Sequence, residues 1–162
     1  MKKAKAVGIQ YAALPYRLVG RRVEILLVTT RETRRWTTPK GWPIADLSPP
    51  EAAAVEAAEE AGVFGAVEPR PIGSYRYMKT VKNGRRIAVQ VIVFPFAVEG
   101  QDPVFKEQGQ RELAWLPYQK AASMVAEGAL KRLIREFGRA RTPGLLRLLR
   151  PLRLLRAYAV RG

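Results

Sequence analysis

Glu56, Glu59 and Glu60 lie together in residues 48–62, an alanine-rich segment of a chain whose formal net charge is +15. Because these glutamates are three and four residues apart, a helix would place their carboxylates on one face. Carboxylates this close repel one another unless a cation or strong hydrogen-bond donors lie among them. The spacing predicts either a solvated acidic face or a divalent-cation site made of carboxylate and backbone carbonyl oxygens. The segment contains no lysine or arginine, which favours the cation site.

Both ends of this segment carry helix signals. Ser48 and Glu51 form the S-x-x-E pattern of a capping box, in which each side chain accepts a hydrogen bond from the other residue's backbone N–H. Pro49 stands at the favoured first helical position, and Gly62 stands where a helix commonly ends. We therefore expect a helix over residues 49–61, with Glu51 in a capping role.

The chain has no cysteine and no histidine. Disulfides, thiolate zinc sites and imidazole ligands are therefore excluded, and oxygen ligands favour magnesium, manganese or calcium. A general base would have to be a carboxylate or a metal-bound hydroxide, because the usual histidine is absent.

The pattern of apolar runs and turn signals predicts one globular domain of mixed α/β structure. The chain has 162 residues, of which 48% are hydrophobic, enough to close a substantial core. Two early apolar runs predict a hairpin, and two later strands are joined at Asn83-Gly84. Residues 36–50 resemble a loop, RELAWLP predicts a last short strand, and residues 118–138 predict a helix divided near Gly128. Together these elements predict a mixed sheet with helices on both faces.

The N-terminus is basic but lacks a continuous apolar core. This pattern predicts neither a signal peptide nor a membrane span, so we expect a cytoplasmic protein.

Residues 41–63, GWPIADLSPPEAAAVEAAEEAGV, resemble the Nudix box, G-x5-E-x7-R-E-U-x-E-E-x-G-U, where U is aliphatic. Gly41, the three glutamates, Gly62 and Val63 occupy their motif positions. The compatible order of strands and helices extends the resemblance over residues 4–137. It implies a Nudix-like α/β/α sandwich with a mixed β-sheet over residues 1–140. It also implies hydrolysis of a nucleoside diphosphate linked to another group, or of a similar pyrophosphate.

Two positions of the box differ from the motif. Leu47 stands where the box has its first glutamate, and Val55 stands where it has its arginine. In the family, these positions are described as supporting the glutamates rather than performing chemistry. Replacing both partners of a charge pair leaves no charge unpaired, so we expect Leu47 and Val55 to form a small hydrophobic contact.

The resemblance also implies a role for each matching residue. Glu56 and Glu60 are expected metal ligands, and Glu59 is expected to ligate metal or to act as the base that orients the attacking water. The backbone carbonyl of Gly41, or of Lys40, would complete the shell around Mg²⁺, with Mn²⁺ as an alternative. Attack of water on a pyrophosphate needs neutralised phosphate charge and activated water, and a divalent ion can supply both.

The lead-in RRWTTPKGW indicates the substrate class. It resembles the lead-in of Nudix members that act on dinucleoside polyphosphates and diphosphoinositol polyphosphates. These substrates are therefore favoured, with ADP-ribose and nucleoside triphosphates as alternatives.

Three residues in this lead-in are candidates for contact with the substrate. Arg35 and Lys40 are expected to bind substrate phosphate, with a solvated basic loop as the alternative. Trp36 fits either a base-stacking role or a place in the core, and the core is the more common outcome beside a strand.

Two residues before the last strand are further candidates. Glu107 lies where some Nudix members carry an additional catalytic acid, and we include it in the expected substrate-binding set, with an ordinary acid of a surface loop as the alternative. Arg111 would either pair with the acidic helix or cover Trp115.

Residues 141–162 form a separate basic block rich in leucine and arginine. From residue 131 to the end there are ten Lys or Arg and one acid, so this part holds +9 of the +15. The block could pack on the body or on a homodimer partner, bind an anionic membrane, or bind nucleic acid. A non-catalytic anion-binding module that uses this tail is the alternative to the enzyme.

Overall fold

The structure is a computed structural model that describes residues 7–144. Within this range, strands and helices follow in the order β1 (Val7–Val19), β2 (Arg22–Thr29), β3 (Trp36–Thr37), β4 (Lys40–Gly41), α1 (Pro49–Ala61), β5 (Val63–Val67), β6 (Gly73–Thr80), β7 (Arg86–Gln101), β8 (Leu113–Pro117), α2 (Tyr118–Met124) and α3 (Gly128–Arg141). No helix in the described range is long and apolar enough to cross a bilayer.

The eight strands join one mixed sheet. β1 and β7 run parallel at its centre, paired from Val7 opposite Ala88 to Tyr16 opposite Ala97. The other pairings are antiparallel: β2 joins β1, β3 and β8, while β7 carries β6 and β5 along successive parts of its length. β4 pairs with the middle of β1, which places the first residue of the box against the centre of the sheet.

Helices cover both faces of this sheet. On one face, α1 buries its alanines against Ala13, Leu26, Val28, Phe94 and Phe96. On the other face, α2 and α3 bury Ala121, Ala122, Leu130, Ile134 and Phe137 against residues of β1, β2, β6 and β7. A mixed sheet between helical layers confirms the predicted α/β/α sandwich.

Helix α1 begins and ends as the sequence predicts. Ser48 N–H donates to Glu51 Oε2 at 2.7 Å, and Glu51 N–H donates to Ser48 Oγ at 3.4 Å. At the other end, Gly62 has a left-handed φ of 70°, and its N–H donates to the Ala58 carbonyl at 3.0 Å. The inward alanines are fully buried, so the helix backbone lies close to the sheet.

Most of the predicted elements are confirmed. The β1–β2 hairpin, the turn at Asn83-Gly84, the strand β8 and the break before Gly128 all occur. β5 was not predicted, and residues 36–50 contain the short strands β3 and β4 in addition to loop. These short strands pair with β2 and β1, which lie earlier in the chain, so no local periodicity marks them.

The predicted boundary between domain and tail falls at the end of α3. The helix continues to Arg141, whose Nη2 lies 2.6 Å from Glu68 Oε1 of the sheet layer. Residues 145–162, which carry most of the predicted tail, lie outside the described residues, and the division at residue 140 stays a prediction.

We expect Gly62→Ala to destabilise the protein more than Gly84→Ala does. Both glycines have a φ of 70°, so alanine at either position adds left-handed strain of about 1–2 kcal/mol. A Cβ on Gly62 would also lie 2.6 Å from the Asp102 carbonyl oxygen and against the Phe105 ring, whereas open space surrounds Gly84. Urea denaturation should therefore show an additional loss of about 1–3 kcal/mol at Gly62. Equal losses would contradict the packing of residues 102–105 on the end of α1.

Candidate active site

A cleft of about 590 Å³ opens between α1, β4, β6 and the loop before β8. Its acidic residues are Glu56, Glu59, Glu60 and Glu107, and its basic residues are Arg31, Lys40, Lys79, Lys106 and Arg111. Gln10, Gly41, Trp42, Pro43, Ile44, Tyr77 and Gln110 complete the lining. The structure thus brings the three box glutamates and the box glycine together in one concave site.

The Glu56 carboxylate lies directly against Gly41. A Cβ added to Gly41 would collide with the Glu56 carboxyl oxygens, so only glycine fits while this contact is kept. Gly41 is held in place because β4 pairs it with Tyr11 of β1. The backbone of the first box residue and the first of the three glutamates therefore form one wall of the cleft.

Glu60 is the most deeply buried of the box glutamates, with 4% of its surface exposed. Arg111 Nη2 lies 3.4 Å from Glu60 Oε1 and 3.4 Å from Glu107 Oε1, so a single guanidinium nitrogen bridges two carboxylates. Arg111 Nη1 donates to the Thr29 carbonyl at 3.0 Å, which anchors the side chain at the end of β2. Of the two predicted roles for Arg111, the structure shows pairing with the acidic helix.

Trp115 is covered by a different arginine. The Arg17 guanidinium lies 4.1 Å from the centre of the Trp115 ring. The predicted alternative role for Arg111, covering this tryptophan, is therefore taken by Arg17.

Glu59 lies nearer to solvent than Glu60 does. Its carboxylate is 3.1 Å from Lys106 Nζ, and the two side chains are 33% and 69% exposed, so this pair adds little stability. The Glu107 N–H donates to the Glu59 carbonyl at 2.9 Å. This backbone hydrogen bond ties the loop that carries Lys106 and Glu107 to the last turn of α1.

Burial shifts the pKa values of several charged groups in the cleft. Burial raises the pKa of Glu60 above its usual value, against the opposing attraction of Arg111. Burial, reinforced by neighbouring glutamates, raises the pKa of Glu56, and burial lowers the pKa of Lys40. In each case burial disfavours the charged form of the side chain. A cation among the carboxylates and a phosphate beside Lys40 would each stabilise the charged form.

The donor atoms of this site suit a hard divalent cation. Glu56, Glu60 and the Gly41 carbonyl offer oxygen only, which is the ligand type that Mg²⁺ and Mn²⁺ prefer. Within residues 7–144, no three acidic side chains converge at the spacing of a metal-binding cluster. The carboxylates of Glu59 and Glu60 are instead paired with basic side chains. The residues therefore fit the ion in ligand type and in location. Their side chains adopt the positions of carboxylates that are paired with lysine and arginine.

The predicted substrate-binding residues fall in two places. Lys40 lines the cleft, with its Nζ 3.4 Å from Thr37 Oγ1, and Glu107 lines it next to Arg111. Arg35 is exposed and lies outside the cleft, in an adjoining side pocket between the β2–β3 loop and β6. Trp36 packs against the core, which confirms its core interpretation over a stacking role.

Several cleft residues were not predicted from the sequence. Trp42 is 41% exposed and directly follows the box glycine, a position that could have suggested it. Tyr77 and Lys79 share one face of β6 by strand alternation; burial raises the pKa of Tyr77 to about 12, and its hydroxyl donates to Gln10 at 2.7 Å. No sequence pattern marks Lys106, because its loop is brought next to α1 only by tertiary contacts.

Comparisons with known proteins agree with this geometry. A family model described as NUDIX domain matches residues 10–137. Nudix hydrolase 18, mitochondrial, of Arabidopsis thaliana is 27% identical over 128 residues, which cover 75% of this chain and 70% of that protein. The MutT protein of Methanosarcina mazei Go1 has a TM-score of 0.63 at 23% identity, covering 88% of this chain and all of the other. The Ap4A hydrolase of C. elegans, solved as a binary complex, has a TM-score of 0.60 at 19% identity, covering 81% and 95%.

The chain belongs to the Nudix family, because the family model covers most of its length. The family resemblance seen in the sequence is therefore confirmed, and the protein is a pyrophosphohydrolase of the Nudix type. The two residues that depart from the box differ in exposure: Leu47 is 39% exposed, and Val55 is half-buried on α1. The contact expected between them stays a prediction.

We expect Arg111→Met to be far more destabilising than Arg31→Met. Both guanidinium groups lie 3.4 Å from the same Glu107 oxygen, but the Arg111 side chain is 11% exposed and the Arg31 side chain is 61% exposed. Removing Arg111 leaves the carboxylate of Glu60, whose side chain is 6% exposed, without its ion-pair partner, at a cost of about 3–5 kcal/mol. Removing the exposed partner should cost less than about 1 kcal/mol.

Urea denaturation in the presence of a chelator measures both losses without interference from metal ions. A small loss for Arg111→Met, equal to that for Arg31→Met, would contradict the role of Arg111 as the main counter-charge of the cleft.

Proposed function

We propose that the protein hydrolyses a pyrophosphate bond with Mg²⁺ as cofactor, in a nucleoside diphosphate linked to another group or in a polyphosphorylated substrate. Mn²⁺ would serve as a substitute. The observation that carries this proposal is that the box glutamates, Gly41 and five basic side chains all line one cleft. Carboxylates suit a divalent cation and basic side chains suit phosphoryl oxygens, so the cleft can hold both reactants of a metal-assisted hydrolysis.

Glu56, Glu60 and the carbonyl of Gly41 are the proposed metal ligands. The ion, when bound, would neutralise phosphoryl charge and acidify water. Gly41 contributes by having no side chain, since this lets the Glu56 carboxylate reach the backbone of β4. Glu60 contributes a carboxylate whose pKa is raised by burial, so a bound cation would stabilise its charged form.

Glu59 is the proposed general base. It lies in the cleft beside the two proposed ligands, and its 33% exposure lets solvent water reach the carboxylate. The hydrogen bond from Glu107 N–H to its carbonyl fixes the last turn of α1, which keeps the carboxylate at a constant place in the cleft. In a chain without histidine, a carboxylate is the residue able to take a proton from water near neutral pH.

Lys40, Arg35 and Glu107 are the proposed substrate-binding residues. Lys40 would contact phosphoryl oxygens in the cleft, and Arg35 would contact the part of the substrate that extends into the side pocket. Glu107 forms ion pairs with Arg111 and Arg31, so it would orient these guanidinium groups beside the substrate.

Dinucleoside polyphosphates and diphosphoinositol polyphosphates are the favoured substrates. The lead-in before the box and the number of basic residues around the cleft support them. The Ap4A hydrolase of C. elegans shares the fold, which also supports a dinucleoside polyphosphate. A NUDIX domain crystallised with ADP-ribose, from NrtR of Shewanella oneidensis, shares the fold as well, and ADP-ribose is the alternative substrate.

Three further assignments belong to the same proposal. The hydrolase domain would comprise residues 1–140, and residues 141–162 would form a tail that contacts a homodimer partner, an anionic membrane or nucleic acid. The cytoplasm is the proposed compartment. A mitochondrial location is the alternative, since two matched Arabidopsis thaliana hydrolases carry that word in their names.

We expect Glu59→Gln to lower kcat by about 100- to 10,000-fold on every pyrophosphate that the protein hydrolyses, because the variant loses its general base. Phosphate or nucleotide release, measured with Mg²⁺ over a panel of pyrophosphates, tests this. Glu136→Gln, an exposed change on α3 away from the cleft, is the matched control and should keep full activity. Undiminished turnover in Glu59→Gln would contradict the proposed role of Glu59.

A further inference from the structure

The cleft continues into the side pocket, which has a volume of about 290 Å³. The two spaces share Arg31, Lys40, Tyr77, Lys79 and Arg111, so a ligand can extend from one into the other without leaving the surface. The side pocket is bounded by the β2–β3 loop and by the end of β6. It lies away from α1, because none of the α1 glutamates lines it.

The side pocket differs from the cleft in its balance of charge. Its basic residues are Arg31, Arg35, Lys40, Lys79 and Arg111, and its one acidic residue is Glu32. In the cleft, by contrast, five basic residues face four glutamates. The side pocket therefore carries a strong excess of positive charge, and the cleft carries almost none.

Three of these basic groups have no carboxylate within ion-pair distance, and Glu60 and Glu127 attract the charge of Lys40 only from farther away. Arg31 and Arg111 both contact Glu107, and their charge is partly neutralised. Among the described residues, no carboxylate oxygen lies within 4.0 Å of the charged nitrogens of Arg35, Lys40 or Lys79. Unpaired cations around a concave surface are a binding site for an anion.

The loop that presents Arg35 is held by its own hydrogen bonds. Thr30 N–H donates to the Arg35 carbonyl at 2.9 Å, and Arg35 N–H donates to Thr30 Oγ1 at 3.0 Å. Thr30 Oγ1 also lies 2.8 Å from Thr33 Oγ1, and Arg34 adopts a left-handed φ of 52° to close the turn. The backbone at Arg35 is thus fixed before any ligand arrives, while its guanidinium stays exposed.

We propose that the side pocket binds a phosphoryl group of the substrate that lies outside the scissile linkage. This inference rests on the proposed function, because it assigns the pocket to the far end of the same substrate. The two phosphoryl groups of the scissile bond would occupy the cleft, and a third or later group would contact Arg35 and Lys79. The preferred substrate class is therefore one with at least three phosphoryl groups.

A test compares kcat/KM for diadenosine tetraphosphate and ADP-ribose in the double variant Arg35→Gln/Lys79→Gln. ADP-ribose has only the two phosphoryl groups of its pyrophosphate, so it cannot fill both spaces. We expect the loss for diadenosine tetraphosphate to exceed that for ADP-ribose at least five-fold, and to arise mainly from a higher KM. Arg132→Gln/Arg135→Gln removes the same charge from exposed positions of α3, and should change neither substrate's rate.

A variant that removes negative charge from the side pocket provides a second test. Glu32→Gln removes the one acid of the side pocket, so it should lower KM for diadenosine tetraphosphate about two- to three-fold. Equal losses on both substrates in the double variant would overturn the proposal, since they would show a general field that attracts all anions. Unchanged rates on both substrates would overturn it too.

Tripolyphosphate binding measured in the presence of a chelator tests the side pocket independently of hydrolysis. Isothermal titration calorimetry with inorganic tripolyphosphate should give a Kd at least ten-fold higher for Arg35→Gln/Lys79→Gln than for the unchanged chain and for the α3 control. If the unchanged chain hydrolyses no pyrophosphate, the proposed function fails whatever the pocket binds. If it hydrolyses pyrophosphates but tripolyphosphate binds equally to all variants, the side-pocket assignment alone fails.

Discussion

Repulsion among the carboxylates of α1 is the constraint on which the rest of the cleft depends. The helix places Glu56, Glu59 and Glu60 together and carries no basic residue of its own. The compensating charge comes from distant parts of the chain, above all from Arg111, which is anchored to the Thr29 carbonyl and contacts the buried Glu60 and the half-buried Glu107. The loop before β8 is therefore bound to the end of α1 by charge as well as by packing and backbone hydrogen bonds.

This arrangement bears on one of the two departures from the Nudix box, the loss of its arginine. The motif position of its arginine holds Val55, and the guanidinium that contacts Glu60 belongs to Arg111 instead. The same arginine also contacts Glu107, so the acidic wall and the loop facing it share one counter-charge. The basic residues on the β2–β3 loop and β6 remain largely unpaired, which divides the cavity into an acidic end suited to a metal ion and a basic end suited to phosphate.

The sequence predicted those elements that are determined by residues close together in the chain. The capping box and Gly62 define α1, alternation and turn residues define the β1–β2 hairpin, and the motif spacing identifies the box glutamates and Gly41. Pairings between distant segments could not be predicted in this way: β4 exists only against β1, and Arg111 could be assigned only as one of two roles. Arg35 was expected to bind substrate phosphate, but the sequence did not signal the left-handed turn at Arg34 or the side pocket that Arg35 lines.

The proposed hydrolysis requires that carboxylates of α1 and the carbonyl of Gly41 surround a divalent ion. Anomalous diffraction from crystals soaked in Mn²⁺ locates that ion directly. We expect one strong peak with Glu56, Glu60 and the Gly41 carbonyl oxygen at about 2.0–2.5 Å, and movement of the Arg111 guanidinium away from Glu60. Crystals saturated with Mn²⁺ that show no peak there, and in which Arg111 still contacts Glu60, would contradict it.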